Sequence, residues 1–298
     1  MRTTQLIPVG LLLMSVGVAS TKIASGEVRD RFRQQGNVRP GRSGEALQLA
    51  GLLCSIWEPS GSGRPLPLVI FSHGFHGNRN QSTFLTQALA RAGYLVIAPN
   101  HKDAITQGGG MAGRPELPFQ NPGEWSDTTF QDRARDIESL LSALKADERF
   151  SAHIDWSRVG LAGHSLGGYT VLGLAGAWPS WRLPEVKAVL ALSPYANPYV
   201  HHGDLAGLRR PVMYQTGTLD IGVAPFLSKA GGAYDQTGAP AYLVVFQGAG
   251  HLAWTDLNSR FQAIITDYSL AFLNRYLKGD PQADPSRRQG AVANLRVQ

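Results

Sequence analysis

The chain has 298 residues, 43% of them hydrophobic, and a formal net charge of +6. It is long enough to bury a full core, and with neither an internal repeat nor a long linker it reads as one large domain. The basic residues are scattered, with no stripe interleaved with aromatics, which excludes a nucleic-acid footprint. A single cysteine, Cys54, excludes an intrachain disulfide, so stability rests on the core.

The elements follow in chain order. Arg2, an apolar stretch over 6–19 and the small residues Gly17, Val18 and Ala19 predict a cleaved signal peptide, residues 1–19, and a secreted or periplasmic protein. Fourteen apolar residues are too few to cross a bilayer comfortably, so no stable membrane insertion is expected. The arginine-rich 29–42 reads as solvated. Residues 47–57 suggest one or two strands holding Cys54 as a small buried hydrophobe. A turn at 61–63 leads to a buried strand over 66–72. The spacing of Leu85, Ala88, Leu89 and Ala92 predicts a helix over 81–92, and a strand follows at 94–98.

Residues 104–129 break the rhythm with three consecutive glycines (108–110), Phe119 and Trp125, and no period; they read equally as a flap beside a site or a surface excursion. Ile137, Leu140, Leu141 and Leu144 then mark an inward helical face over 132–145. Further buried strands are expected at 186–192, 212–215 and 242–246, and a long helix at about 257–276. Nearly uniformly apolar strands alternating with helices predict an α/β fold, a mostly parallel central sheet with helices on both faces. The domain is expected to span 20–279, with 280–298 a flexible polar tail.

Gly163-His164-Ser165-Leu166-Gly167 carries the chemistry. It follows the apolar run 159–162 and opens onto a small-residue helical stretch, so G-x-S-x-G sits in a strand, sharp turn, helix context. Such a turn lifts a serine hydroxyl off the end of a sheet. That hydroxyl needs a base to remove its proton, and the base needs a carboxylate to hold its tautomer. Asp220 and His251 each stand where a strand exits into a glycine-containing loop, and Ser165, Asp220, His251 come in hydrolase order. His101, Asp103, His153, His201, His202 and the alternative carboxylate Asp235 fit less well. The eight histidines show no metal-ligand spacing, and neither metal nor cofactor is implied. Backbone N–H groups of Leu166 and Phe75, the latter in His73-Gly74-Phe75-His76-Gly77, are the candidate oxyanion donors.

These motifs, with Gly217-Thr218-Leu219-Asp220, Gly250-His251 and the ending 272–280, resemble the α/β-hydrolase superfamily. The chain is most similar there to the dienelactone-hydrolase-like and platelet-activating-factor-acetylhydrolase-like serine esterases, over roughly residues 47–280. It departs from true dienelactone hydrolases, whose nucleophile is a cysteine where Ser165 stands. The resemblance implies an α/β-hydrolase fold and an acyl-enzyme route on small-molecule or lipid-like carboxylic esters. Bacterial polyester-degrading cutinases are similar at Phe75, at Ser193-Pro194-Tyr195 and around Asp220. Tyr195 replaces their usual tryptophan, and the long 104–129 segment also argues against an open polymer groove. A cutinase-like polyester hydrolase or lipase is therefore the second reading, with an acyltransferase or a noncatalytic binding member behind it. Tyr195, Trp125 and Phe119 are expected to line the acyl pocket. Oligomeric state and natural substrate are not legible.

Overall fold

A computed structural model describes residues 43–61, 65–105, 119–238 and 240–298. The signal-like 1–19, the arginine-rich 29–42 and the stretch 106–118 lie outside the described residues. Among these described residues nine strands form one sheet: β1 (Ser43–Leu49), β2 (Leu52–Trp57), β3 (Leu66–Ser72), β4 (Leu95–Pro99), β5 (Ile154–His164), β6 (Val186–Leu192), β7 (Val212–Gly217), β8 (Ala241–Phe246) and β9 (Val292–Val297). Their order is β1-β2-β4-β3-β5-β6-β7-β8-β9. Strands β4, β3, β5, β6, β7 and β8 are parallel, while β1, β2 and β9 pair antiparallel at the two edges. The β1–β2 hairpin turns on Ala50 and Gly51, both at positive φ (52° and 78°), as a type I′ turn requires.

Four of the helices frame the site: α1 (Thr83–Arg91), α2 (Gln131–Ala146), α3 (Leu166–Leu172) and α4 (Gln262–Leu277). They cover both faces, which is why the central strands read as continuous apolar runs. In β3, Leu68 and Ile70 pack with Ile137, Leu140, Leu141 and Leu144 of α2, whereas Val69 and Phe71 pack with Leu85 and Leu89 of α1 and Phe272 and Leu273 of α4. Each such buried side chain contributes about 1.5–3 kcal/mol. Cys54 is buried in β2, where burial pushes its thiol up to about 12, so it is an inert core residue. Among the described residues, no helix is long and apolar enough to cross a membrane.

Two expectations need correction. Residues 280–298 are not a flexible tail: 292–297 form β9, with Val244 opposite Leu295 and Tyr242 opposite Val297. The strand is short and only Val292 in it is buried, so its own pattern is weak; the unpaired backbone edge of β8 specifies it. Arg296 adds an ion pair with Asp235 and lies 4.3 Å over the Tyr234 ring. The last helix begins at Gln262 rather than near 257. Asp256 is engaged elsewhere, its carboxylate accepting from the Thr83 and Phe84 N–H groups at 2.9 and 3.0 Å and so capping α1.

Candidate active site

Strand β5 ends at His164 and α3 begins at Leu166, leaving Ser165 alone in the corner at φ 54°, ψ −117°. A non-glycine residue keeps such a conformation only where its surroundings over-determine it. Here the Ser165 N–H donates to the Leu192 carbonyl, and its own carbonyl accepts from the Tyr195 N–H, each at 3.0 Å. The flanking glycines are sterically required. A Cβ at Gly167 would lie 2.0 Å from the Ser72 carbonyl oxygen, and one at Gly163 2.3 Å from that of Gly167.

Loops after three strands converge on this corner. His251, beyond β8, places Nε2 2.9 Å from Ser165 Oγ. Its Nδ1 lies 3.1 and 3.3 Å from the two oxygens of Asp220, which follows β7. The Asp220 side chain is 2% exposed and that of His251 37%, so the carboxylate is sealed while the imidazole reaches solvent. A residue noted in the sequence only as part of Ser193-Pro194-Tyr195 joins them: Ser193, just beyond β6, donates its hydroxyl to Asp220 Oδ2 and holds Oγ 2.9 Å from His251 Nδ1. The competing groups are engaged apart from Ser165. His101 bonds Ser72 Oγ at 2.9 Å and Asp136 at 2.8 Å, His153 bonds Glu58, His202 bonds the Trp125 carbonyl, and Asp235 pairs with Arg296. His201 is exposed on the short helix Asn197–His202.

The loop after β3 is pinned from below. Arg133 of α2, fully buried, donates to the His73 carbonyl at 2.8 Å and the Gly74 carbonyl at 3.2 Å. Asp103 receives its Nε at 3.0 Å and Nη2 at 2.8 Å. Burial alone would raise the Asp103 carboxyl, but the Arg133 guanidinium overrides it and holds the group well below the usual carboxylate range. Burial, reinforced by the charge of Arg133, keeps His73 neutral. The Gly74 N–H is taken by Gln81 Oε1 at 2.9 Å. With both preceding carbonyls and that amide occupied, the Phe75 N–H is the next donor in the loop. Among the described residues no acceptor is paired with it or with the Leu166 N–H at the start of α3.

Gln81 also ties this loop to the elbow. Its Nε2 donates to His164 Nδ1 at 3.0 Å, and His164 Nε2 donates to the His251 carbonyl at 2.9 Å. The proton of His164 therefore sits on Nε2. Burial, then the neighbouring charge of His251, lowers its pKa to about 3 and keeps it neutral. One amide side chain thus connects the loop after β3, the elbow and the loop bearing His251.

An aromatic wall rises beside Phe75. Phe119 packs edge-on against Phe75 at 5.3 Å and Tyr195 at 5.0 Å, and Trp125 lies 5.0 Å from Tyr195. Trp125 is fully buried, so it backs this wall rather than facing solvent. The Tyr195 hydroxyl donates to the Phe119 carbonyl. Leu219 and Ile221 flank Asp220 in the chain and Leu252 follows His251, an exposed apolar rim beside the site; Leu257, six residues beyond His251, is exposed too. Among the described residues, no cluster of three His, Cys, Asp or Glu side chains is arranged to hold a metal ion.

Comparison with known proteins finds esterases and cutinases among the relatives of the chain. The family profile of platelet-activating factor acetylhydrolase, isoform II, matches residues 54–108, which include the loop after β3 but not the elbow. The chain is 27% identical over 217 residues to Cutinase 2 of Thermobifida cellulosilytica, covering 71% of this chain and 69% of that one. It is also 27% identical to Cutinase cut1 of Thermobifida fusca, covering 71% of this chain and 56% of that protein. A probable 1-alkyl-2-acetylglycerophosphocholine esterase of Arthroderma benhamiae is 32% identical over 129 residues, 39% of this chain and 29% of its own length. The mostly parallel sheet covered by helices is an α/β fold, and in that fold and in these likenesses the chain is similar to α/β-hydrolase-like esterases.

Proposed function

We propose that the chain hydrolyses carboxylic esters through an acyl-enzyme on Ser165. The observation that carries this reading is the run of contacts from Ser165 Oγ through the two nitrogens of His251 to Asp220, 2.9 Å on one side and 3.1 Å on the other. His251 Nε2 takes the Ser165 proton as Oγ attacks the ester carbonyl carbon. The oxyanion so formed accepts from the amides of Phe75 and Leu166. His251 then gives its proton to the departing alkoxide, which leaves as the alcohol. In the second half, His251 removes a proton from water, hydroxide attacks the acyl carbon, and collapse returns the proton to Ser165 Oγ. Asp220 accepts from Nδ1–H throughout and stabilises the imidazolium. Phe119 and Tyr195, backed by Trp125, supply an apolar wall for the acyl group, and residues 1–19 support export of the mature enzyme.

A fluorophosphonate probe tests the assignment. We expect it to modify the peptide containing Ser165 and to abolish p-nitrophenyl acetate turnover in parallel. A protein that hydrolyses the ester while its label maps elsewhere would overturn the role of Ser165. Gln81→Ala frees the Gly74 N–H and the acceptor nitrogen of His164 together. Loss of about 1–2 kcal/mol of transition-state stabilisation, roughly five- to thirtyfold in kcat/KM, is expected in a steady-state assay.

The exposed rim of Leu219, Ile221, Leu252 and Leu257 favours a second reading, in which the ester is presented at an apolar surface, as a polyester or a lipid aggregate. Faster release of acid from a polyester film or ester micelles than from the same ester in dilute solution would support it.

A further inference from the structure

We propose that Ser193 is a positioning residue for the proposed ester hydrolysis: a second acceptor for the Nδ1–H of His251 that works alongside Asp220 and sustains part of the rate without it. The inference rests on the assignment of Ser165 and His251 and goes beyond it. Of the oxygens facing Nδ1, Ser193 Oγ is the nearest, at 2.9 Å against 3.1 and 3.3 Å for Asp220. An ionised carboxylate accepts only, so the one hydroxyl proton of Ser193 points to Asp220 Oδ2. The lone pairs of Oγ are thereby left for Nδ1–H. A hydroxyl already donating to an anion is a stronger acceptor, and the arrangement is polarised in the direction that stabilises an imidazolium.

The backbone supports the same conclusion. Ser193 is fully buried and sits at φ 43°, where glycine would be relaxed and serine is strained. It is held there by its N–H, which donates to the Gln215 carbonyl at 2.7 Å. Through this turn the chain end of β6 presents the hydroxyl beneath His251 and then supplies the Tyr195 N–H to Ser165.

The test compares Ser193→Gly in two backgrounds, in the full-length protein with p-nitrophenyl acetate as substrate. Glycine removes the hydroxyl and relieves the positive φ, so the variant folds; its thermal midpoint should match or exceed wild type. With Asp220 present, kcat should fall about tenfold and KM stay within about twofold. In Asp220→Ala, Ser193 Oγ remains as an acceptor for Nδ1–H. Loss of a triad acid leaves roughly fiftyfold more activity than loss of the serine or histidine, so there is range to measure a further fall. We expect Asp220→Ala/Ser193→Gly to lie about tenfold below Asp220→Ala. Ser193→Ala, which keeps the Cβ and the strain, should give the same kinetic losses as glycine. A double variant within about twofold of Asp220→Ala would show that Ser193 acts solely by orienting the carboxylate, and the proposal fails. It fails equally if Ser193→Gly leaves wild-type kcat unchanged. Fluorophosphonate labelling of Ser165 reports separately on the underlying hydrolase assignment.

Discussion

Ser165→Ala is expected to lower kcat for p-nitrophenyl acetate by about ten-thousandfold to millionfold, with KM much less affected. In the proposed mechanism the nucleophile and its base act as a unit: without Oγ, His251 has no proton to take, and without His251 the hydroxyl is too weakly acidic to attack. His251→Ala should therefore cost a similar factor, and the double variant should fall no further than either single one. A residual acceleration of roughly a thousandfold or more over water should survive all three, because the Phe75 and Leu166 amides can still donate to the developing oxyanion. Steady-state rates, with active sites counted by the acyl-enzyme burst in the wild type, decide the matter. Strict additivity of the two losses would mean that Ser165 and His251 do not work on the same proton.

The fold was legible wherever burial repeats. Strand β3 and, Lys187 aside, strand β6 are buried on both faces and read as apolar runs, and their ends fall where the sequence places them. Ser165, Asp220 and His251 stood out because each is a chemically distinctive residue at a strand exit, and the structure brings them within hydrogen-bond distance. Ser193 was hidden by its ordinariness. Its importance lies in a positive φ and in proximity to two loops 27 and 58 residues away, neither of which a local pattern encodes. Strand β9 was missed because its six residues are recruited by the β8 edge rather than by their own periodicity. Arg133 did leave a signal. It lies one helical turn before Ile137, in the stripe continued by Leu140, Leu141 and Leu144, so helical spacing assigns it to the buried face. A charge at such a position demands a partner, and Asp103, following the strand before α2, is the partner found.

That pair makes the strongest stability prediction. Arg133→Met should destabilise the fold by about 3–5 kcal/mol at neutral pH, because it leaves the Asp103 carboxylate buried without its cation and the His73 and Gly74 carbonyls without donors. The pH dependence carries a definite sign. In the wild type the folded-state pKa of Asp103 is depressed, so its contribution is present above the unfolded carboxyl value and is lost only as acid approaches the folded one. In the variant the largest opposition to burial is gone, leaving only the smaller effects of His73 and His101, so that pKa rises and protonation on acidification removes the uncompensated charge. The gap between variant and wild type should be widest at neutral pH and narrow as the pH falls through the raised carboxyl pKa of the variant. Both proteins should lose stability over the same range, because the unfolded chain protonates His73 and His164 below about pH 6.5 while the folded one keeps them neutral. The His164 part of that loss cancels in the difference, whereas the His73 part is smaller in the variant, which lacks the Arg133 charge, and so adds to the narrowing that urea unfolding at pH 7.5 and pH 5 measures. Asp103→Leu in the Arg133→Met background should recover much of the lost stability, since an apolar pair carries no stranded charge. If the double variant proves as unstable as Arg133→Met alone, the cost lies in the unbonded loop carbonyls instead, and the Gly74–Phe75 turn owes its shape to Arg133 more than to the ion pair.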